Sequence, residues 1–382
     1  MLFLYRMQKI LFLTTAHTYQ DDRIFFHQAK ELAAHGFTVK ICSLSSEFQG
    51  ESDGILIESY DILHQSPHVK KSVFQRICAA FVPDLVIASE PLAVISVAKY
   101  CKQHHIKLIY DVTEWYPSKR MLAPYRSFLK VFQFFKFLNI QLYAGFLSSH
   151  FIFGEQTKMF PLSSFFFFKS HIILPYYPSQ EYVRPAVKEL NTNQLKLCYT
   201  GVFSKEKGIG NFLKAADCLQ KEKPELQLSL LLIGGTRDEK ETEYFNQLLT
   251  GYQFDHVKIQ KPVSFSTFAD SYAEADICFD LREKNIENDH CLPIKLFYYA
   301  ASGKPVIYTN LKAIRQHLDV EQFGYLVPPE DAWLIARKVA AYLDDPALYA
   351  EHANNARRLF QEKYNWESIS DGFVKFIKNA LP

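Results

Sequence analysis

From one end of this chain to the other, apolar runs of strand length alternate with stretches of helical spacing. They do so in two separate series, and that repetition limits the folds open to the chain. The first series is strand 9–15, a helical pattern over 23–36 (Ile24, Phe25, Ala29, Leu32, Ala33) that stops at Gly36, strand 38–43, Leu85-Val86-Ile87, helix 91–104 and strand 107–111. The second begins near Leu195: strand 195–200, helix 208–222, strand 227–233, helix 240–250, Val257-Lys258-Ile259, helix 265–273, strand 276–280, helix 293–302 and strand 305–308. Strands that are apolar throughout, with helices between them, are strands buried on both faces, so each series predicts an α/β unit with a doubly wound parallel sheet. Residues 44–66 carry no clear period. The last third predicts three helices, 330–344, 346–363 and 366–380, with Asp344-Asp345-Pro346 as a stop and restart, because proline suits a helix's first turn.

Pro175-Tyr176-Tyr177-Pro178 and the polar run Glu189 to Gln194 separate the two series, which places a boundary at about 178–194. The chain has 382 residues, enough for two such domains. A net charge of +2 gives no whole-chain electrostatic case for nucleic acid, and none is expected as a partner. Seven cysteines (42, 78, 101, 198, 218, 278 and 291) sit mostly inside apolar runs without C-x-x-C spacing, which reads as buried thiols in a reducing compartment. Cys291 alone lies beside a candidate site, and it too reads as packing. Met1 to Arg6, ahead of Met7, forms a short apolar arm with no small-residue cleavage site, and no apolar run has transmembrane length. A cytoplasmic protein is expected.

The most telling segment is 287–310, ENDHCLPIKLFYYAASGKPVIYTN. A polar stretch and Pro293 lead into a helix with Lys295 in its first turns, Gly303 stops it, and Pro305-Val306-Ile307-Tyr308 is a strand. A loop feeding a helix N-terminus is an anion site, because unpaired N–H groups and the helix dipole point outward there. Thr200-Gly201-Val202-Phe203-Ser204-Lys205-Glu206-Lys207-Gly208-Ile209 likewise follows a strand and opens a helix, and Gly234-Gly235 ends a third strand.

These segments resemble the donor-binding stretches of GT-B glycosyltransferases, notably glycosyltransferase family 4. The resemblance runs through Lys-Leu-Phe-x-Tyr before Gly-x-Pro-Val-Ile, and through Lys207-Gly208. It implies two Rossmann-like doubly wound domains facing a central cleft: an N-terminal acceptor-side domain over 1–180, joined by a returning helix 366–382, and a C-terminal donor domain over 190–365. It implies Gly201, Lys207, Gly235, Val263, His290, Pro293, Lys295 and Tyr298 as the residues around a nucleotide-sugar. His290 stands at the first of the family's two usually acidic positions, an acidic residue also absent in a related subgroup, and three further positions depart from the family's pattern. Val202 stands where a cation is usual, Tyr298 where a glutamate binds the nucleotide ribose, and Thr113 where a histidine lies near the reacting sugar. A tyrosine cannot chelate two ribose hydroxyls, and a threonine is no base at neutral pH.

In the N-terminal half, Thr14 to Phe25 resembles the family's His-x-x-x-Asp-Asp-x-Arg-Ile-Phe opening, and Tyr110 to Pro117 its Tyr-Asp-x-His-Glu-x-x-Pro segment. Loops at strand carboxyl ends face the ligand side of an open α/β sheet. His17, Asp111 and Glu114, with Lys207 from the other half, are therefore the candidate catalytic residues. Arg23 reads as an ion-pair partner or a phosphate contact. Residues 126–148, RSFLKVFQFFKFLNIQLYAGFLS, predict a long aromatic helix. Either it rests on a membrane face through Phe and Lys side chains, or it is a core helix whose lysines snorkel. Phe165–Phe168 reads as a buried turn or strand start.

The resemblance implies a retaining hexosyltransferase-type enzyme that moves a sugar from a nucleotide-sugar to a glycan or lipid-linked acceptor. Cell-surface polysaccharide synthesis on the inner face of the membrane would be its setting. It implies no metal or other cofactor, since cations and a helix N-terminus would stabilise the leaving diphosphate. The alternative is a non-catalytic GT-B protein that binds a sugar or nucleotide or serves as a partner subunit, as the replacements at Thr113, Val202 and Tyr298 suggest.

Overall fold

The structure is a computed structural model and describes residues 7–114 and 117–381. The N-terminal arm Met1–Arg6, and Trp115 and Tyr116 of the Tyr110–Pro117 segment, lie outside the described residues. The chain divides into two compact units, Met1–Tyr176 with Ile369–Pro382, and Tyr177–Ser368.

The first unit holds β1 (Lys9–Thr14), β2 (Thr38–Ser43), β3 (Ser45–Ser52), β4 (Ile55–Asp61), β5 (Leu85–Ala88), β6 (Lys107–Val112), β7 (His150–Phe153) and β8 (His171–Ile173). They form one sheet in the order β3-β4-β2-β1-β5-β6-β7-β8. Every pair is parallel except the β3–β4 hairpin at the edge. The central strands are buried along their length, as continuous apolar runs require when helices cover both faces. The hairpin lies in the 44–66 stretch that showed no period. β3 reads SSEFQGES, with Phe48 its one large apolar residue, so it has no apolar face for a sequence pattern to reveal. A helix at Pro67–Phe81 also escaped the sequence pattern. Ser66 caps it by accepting from the Val69 amide, and Pro67 opens its first turn.

The second unit holds β9 (Gln194–Val202), β10 (Gln227–Gly235), β11 (His256–Gln260), β12 (Ile277–Asp280), β13 (Val306–Thr309) and β14 (Gly324–Val327). Its sheet is parallel throughout, in the order β11-β10-β9-β12-β13-β14. One core runs from Leu197 and Leu230 through Phe212 and Phe279 to Ile335 and Tyr342. The polar stretch up to Gln194 packs on this unit rather than spanning a gap. The Ala186 amide donates to the Ser302 carbonyl. Lys304, fully buried, donates all three of its protons, to the carbonyls of Ala186, Ala273 and Ala275 at 2.6–2.8 Å. That satisfies a buried ammonium, which would otherwise be costly.

The helix Ser127–Leu147 is not a core helix. Its only buried residues are Gln141, Ala144 and Gly145, all near its C-terminal end. The Phe165–Phe168 run is not a buried turn either, since Phe165, Phe167 and Phe168 are exposed and only Phe166 packs on the core. Among the described residues no helix is long and apolar enough to cross a membrane.

Candidate functional site

In the second unit a pocket of about 410 Å³ opens at the carboxyl ends of β9, β10 and β11. Thr200, Gly201 and Val202 form one wall, Ile233 to Arg237 a second, and Pro262, Val263 and Phe268 a third; Lys295 closes it. This is the end of an open parallel sheet where ligands bind. A larger recess of about 470 Å³ lies at the opposite strand ends, but its lysines are already paired, Lys188 with Asp276 and Lys196 with Glu274, each at 2.7 Å.

Lys295 is the organised charge of the pocket. Its Nζ donates to the Thr200 carbonyl and lies 3.2 Å from Asp280 Oδ2. Asp280 is itself buried and gripped by the Arg282 guanidinium through Nε and Nη2. Burial works against the Asp280 charge, yet Arg282 and Lys295 hold its carboxyl well below the usual range. Burial lowers the Lys295 pKa, with the positive charges of Arg282 and Lys207 adding to it, while Asp280 pulls it back up. Gly201, in the left-handed region at φ 121°, keeps this ammonium open, because a Cβ there would stand 3.1 Å from Nζ. The same strand ends meet so closely that a Cβ on Gly234 would fall 1.8 Å from the Gly201 carbonyl oxygen.

Of the sequence-expected donor residues, Gly201, Gly235, Val263 and Lys295 line the pocket. Lys207 sits just before the helix Ile209–Glu222, half-buried, with Nζ 3.4 Å from Glu206, close enough for its charge to be felt at Lys295. His290, Pro293 and Tyr298 are not among the lining residues. The His290 ring turns back onto the Ile286 carbonyl at 2.8 Å, and Pro293 is buried ahead of its helix. The Tyr298 ring is buried edge-on against Phe265 and Phe268, both at 5.7 Å, so it supports the pocket wall from behind rather than facing a ribose. The sequence reading missed Asp280, Arg237 and Phe268, and an Asp-x-Arg at a strand end was the available signal for the first.

In the first unit the loops after β1, β5 and β6 meet. Glu90, also missed, is buried and draws the first loop together, accepting from Thr14 Oγ1 at 3.0 Å and from the Thr15 and Ala16 amides at 2.8 and 3.0 Å. His17 follows, with Nδ1 2.8 Å from Asp21, Nε2 3.8 Å from Glu90 and 3.4 Å from the Thr113 hydroxyl. Burial opposes the charge on His17, but the bond to Asp21 and the charges of Asp21, Glu90 and Glu114 outweigh it and raise the pKa to about 9. At neutral pH His17 is therefore an imidazolium, a donor suited to a phosphate or sugar oxygen and not a base. Glu114 is partly exposed beside it.

Asp111 departs from its expected role. It is fully buried and accepts from Arg23 Nε at 3.0 Å, Arg23 Nη2 at 2.7 Å and Gln28 Nε2 at 3.0 Å. Full burial and the three bonds make Asp111 a structural partner of Arg23, away from solvent, rather than a catalytic group.

The His17 pair makes stability depend on pH. A folded pKa raised above the unfolded value contributes stability that is complete below about pH 6.5 and lost as pH rises through about 9. Asp22, pushed up to about 7 by burial and by Asp21, ionises at the lower edge of this window, but it is present in both proteins compared below, so the difference between them reports His17. Urea midpoints at pH 6 and pH 9.5 should therefore differ more for the wild type than for His17→Gln. Parallel pH dependence in the two proteins would refute the assignment.

Residues 194–345 match the family described as glycosyl transferases group 1. Glycogen synthase of Mycobacterium tuberculosis is 21% identical over 189 residues, 48% of this chain and 42% of the relative. An uncharacterized glycosyltransferase of Methanocaldococcus jannaschii is 21% identical over 198 residues, 51% and 48% of the two chains. The matches thus span less than half the length of these curated relatives. Among solved structures, sucrose-phosphate synthase from Thermosynechococcus elongatus superposes with a TM-score of 0.73 at 17% identity, covering 97% of this chain and 98% of its own. Anabaena HepE in complex with UDP-glucose gives a TM-score of 0.68 at 14% identity, covering 97% and 99%. The chain therefore has the GT-B fold, and residues 194–345 of its second unit are similar to the glycosyl transferases group 1 family.

Proposed function

We propose that this protein is a glycosyltransferase of the hexosyltransferase type that takes a nucleotide-sugar in the 410 Å³ pocket of its second unit. The observation that carries the reading is Lys295, an ammonium pinned by Thr200 and Asp280 and bared by Gly201 at the carboxyl ends of the strands. A fixed cation there suits a diphosphate whose charge grows as the sugar departs. The relatives named above include one solved with UDP-glucose, which makes a uridine nucleotide the first donor to test.

In this reading Lys295, assisted by Lys207, holds the leaving diphosphate, and His17 with Glu114 belongs to the acceptor side. The C1–O bond to the diphosphate breaks, the acceptor oxygen bonds C1 on the same face, and the acceptor proton passes to a donor phosphate oxygen. Retention, the absence of a protein-bound metal, and a glycan or lipid-linked acceptor in cell-surface polysaccharide synthesis belong to the same proposal. So does a cytoplasmic site of action with contact to the inner face of the membrane. The second reading is a non-catalytic nucleotide or sugar binder, favoured by Tyr298, whose ring is packed away where a ribose-binding carboxylate would be expected.

Calorimetric titration with UDP and UDP-glucose tests the pocket, and release of free glucose from UDP-glucose tests turnover. Binding with slow hydrolysis supports the enzyme. Binding with no turnover under any acceptor supports the second reading. No binding of any nucleotide diphosphate overturns both.

A further inference from the structure

The helix Ser127–Leu147 presents a stripe of aromatic side chains to solvent. Phe128 is 72% exposed, Phe132 68%, Phe135 56%, Tyr143 53% and Phe146 66%. At 3.6 residues per turn these positions, with Asn139, fall within roughly 80° of one another along a helix about 30 Å long. Val131, 60% exposed, flanks them. A soluble protein rarely leaves so much contiguous apolar surface uncovered.

A second element continues the surface. At the C-terminal end of the helix, Lys169 Nζ donates to the carbonyls of Gly145, Phe146 and Ser148 at 2.6–2.8 Å, closing the helix end. The same ammonium lies 4.8 Å from the Phe166 ring and 6.0 Å from the Phe146 ring. Leu162 and Phe166 press against Gly145, where a Cβ would come within 2.5 and 2.9 Å of them. Lys169 therefore ties the turn before it to the helix. On that turn Phe165, Phe167 and Phe168 stand out, Phe167 at 80% exposure.

Charge indicates what covers this face. Residues 126–169 contain five cations, Arg126, Lys130, Lys136, Lys158 and Lys169, and one carboxylate, Glu155. Glu155 is buried and paired with Lys158 at 2.9 Å. The exposed charge on this helix and its cap, from Arg126, Lys130 and Lys136, is wholly positive, with Lys136 at the edge of the aromatic stripe, in a chain whose net charge is only +2. A second copy of the chain would bring the same cations against themselves. Phenylalanines with basic flanks match the boundary between acyl chains and anionic headgroups.

We propose that the 127–147 helix and the Phe165–Phe168 turn, joined by Lys169, form one docking surface for an anionic lipid bilayer. The helix lies in the plane of the interface, and the turn inserts as a wedge. This deepens the membrane contact in the proposed function by assigning its residues and the lipid charge, and it stands on observations separate from the donor pocket.

The test is co-sedimentation of the full chain with vesicles of pure phosphatidylcholine and of phosphatidylcholine with 30% phosphatidylglycerol. The wild type is expected to partition at least tenfold more strongly onto the anionic vesicles, with the excess lost at high salt. Phe132→Glu/Phe135→Glu and Phe167→Ser/Phe168→Ser should each lower partitioning at least tenfold while keeping the wild-type melting temperature and UDP affinity. Lys130→Glu/Lys136→Glu should abolish the preference for anionic lipid. A wild-type protein that stays in the supernatant overturns the proposal. So does a dimer in light scattering that Phe132→Glu/Phe135→Glu converts to monomer, because the face is then covered by a second copy. Loss of UDP binding in the wild type would count against the donor reading and leave the lipid result intact.

Discussion

Lys295→Ala is expected to lower the turnover of the nucleotide-sugar by about 10²- to 10³-fold, the usual cost of removing one preorganised group that stabilises developing charge. The physical reason lies in how the ammonium is held. Thr200 and Asp280 fix its position, and no side chain on Gly201 stands between it and the pocket. A cation already in place needs no reorganisation when the diphosphate departs. The fold should survive the change, because Asp280 keeps its two-point pairing with Arg282 after Lys295 is lost. Donor hydrolysis under single-turnover conditions, alongside a thermal melt, separates the two effects. Unchanged hydrolysis in a folded Lys295→Ala protein would remove the basis of the proposed mechanism. Lys207→Ala should have a smaller effect, since Lys207 is more exposed, rests on Glu206 and does not line the pocket.

The largest effect on stability is expected from Arg23→Ala, at about 3–5 kcal/mol, because it leaves a buried carboxylate without its cation. Arg23 and Asp111 are both almost fully buried. The guanidinium also donates to the Leu174 carbonyl at 2.6 Å and stacks 4.5 Å from the Tyr176 ring centre. It thus binds the helical turn after Asp22, the end of β6 and the chain leaving β8 into one unit. Replacing both partners with apolar residues, Arg23→Met with Asp111→Leu, should recover much of the loss, since neither charge then remains buried. Urea denaturation of the three proteins measures this. A loss below about 1 kcal/mol for Arg23→Ala would show that the pair is not the tie described here. Asp111→Asn distinguishes the roles further. A catalytic carboxylate would lose activity at unchanged stability, whereas the buried pair predicts that stability falls first.

Asp111 also marks a limit of sequence reading. A carboxylate at a strand's end, beside a loop that faces the ligand side, has the local signature of a ligand residue. Its partner Arg23 lies 88 positions away, and only the packing of the first helical turn against β6 brings them together. Phe165–Phe168 failed in the other direction. Four consecutive phenylalanines read as buried by composition, but burial depends on what lies opposite, and in this turn three of them are left exposed. Tyr298 was legible as a departure from a carboxylate, and its location behind Phe268 was not. The β3–β4 hairpin escaped because β3 has almost no apolar face, whereas the parallel strands announced themselves by being apolar throughout.

What the sequence determined alone was the architecture, in two successive βα series, together with the glycine and lysine positions at the carboxyl ends of β9 and β10. Both follow from local physics: apolar periodicity selects strand or helix, and glycine marks close backbone approach. The tertiary structure alone decided which charges are free to act. Lys295 faces a pocket, Asp111 is consumed by Arg23, His17 is held protonated by Asp21 and Glu90, and the 127–147 helix stands open. Apart from the neighbouring His17 and Asp21, these charge states and exposures arise from groups distant in sequence and near in space, as with Arg23 and Asp111, which no short window of the chain contains together.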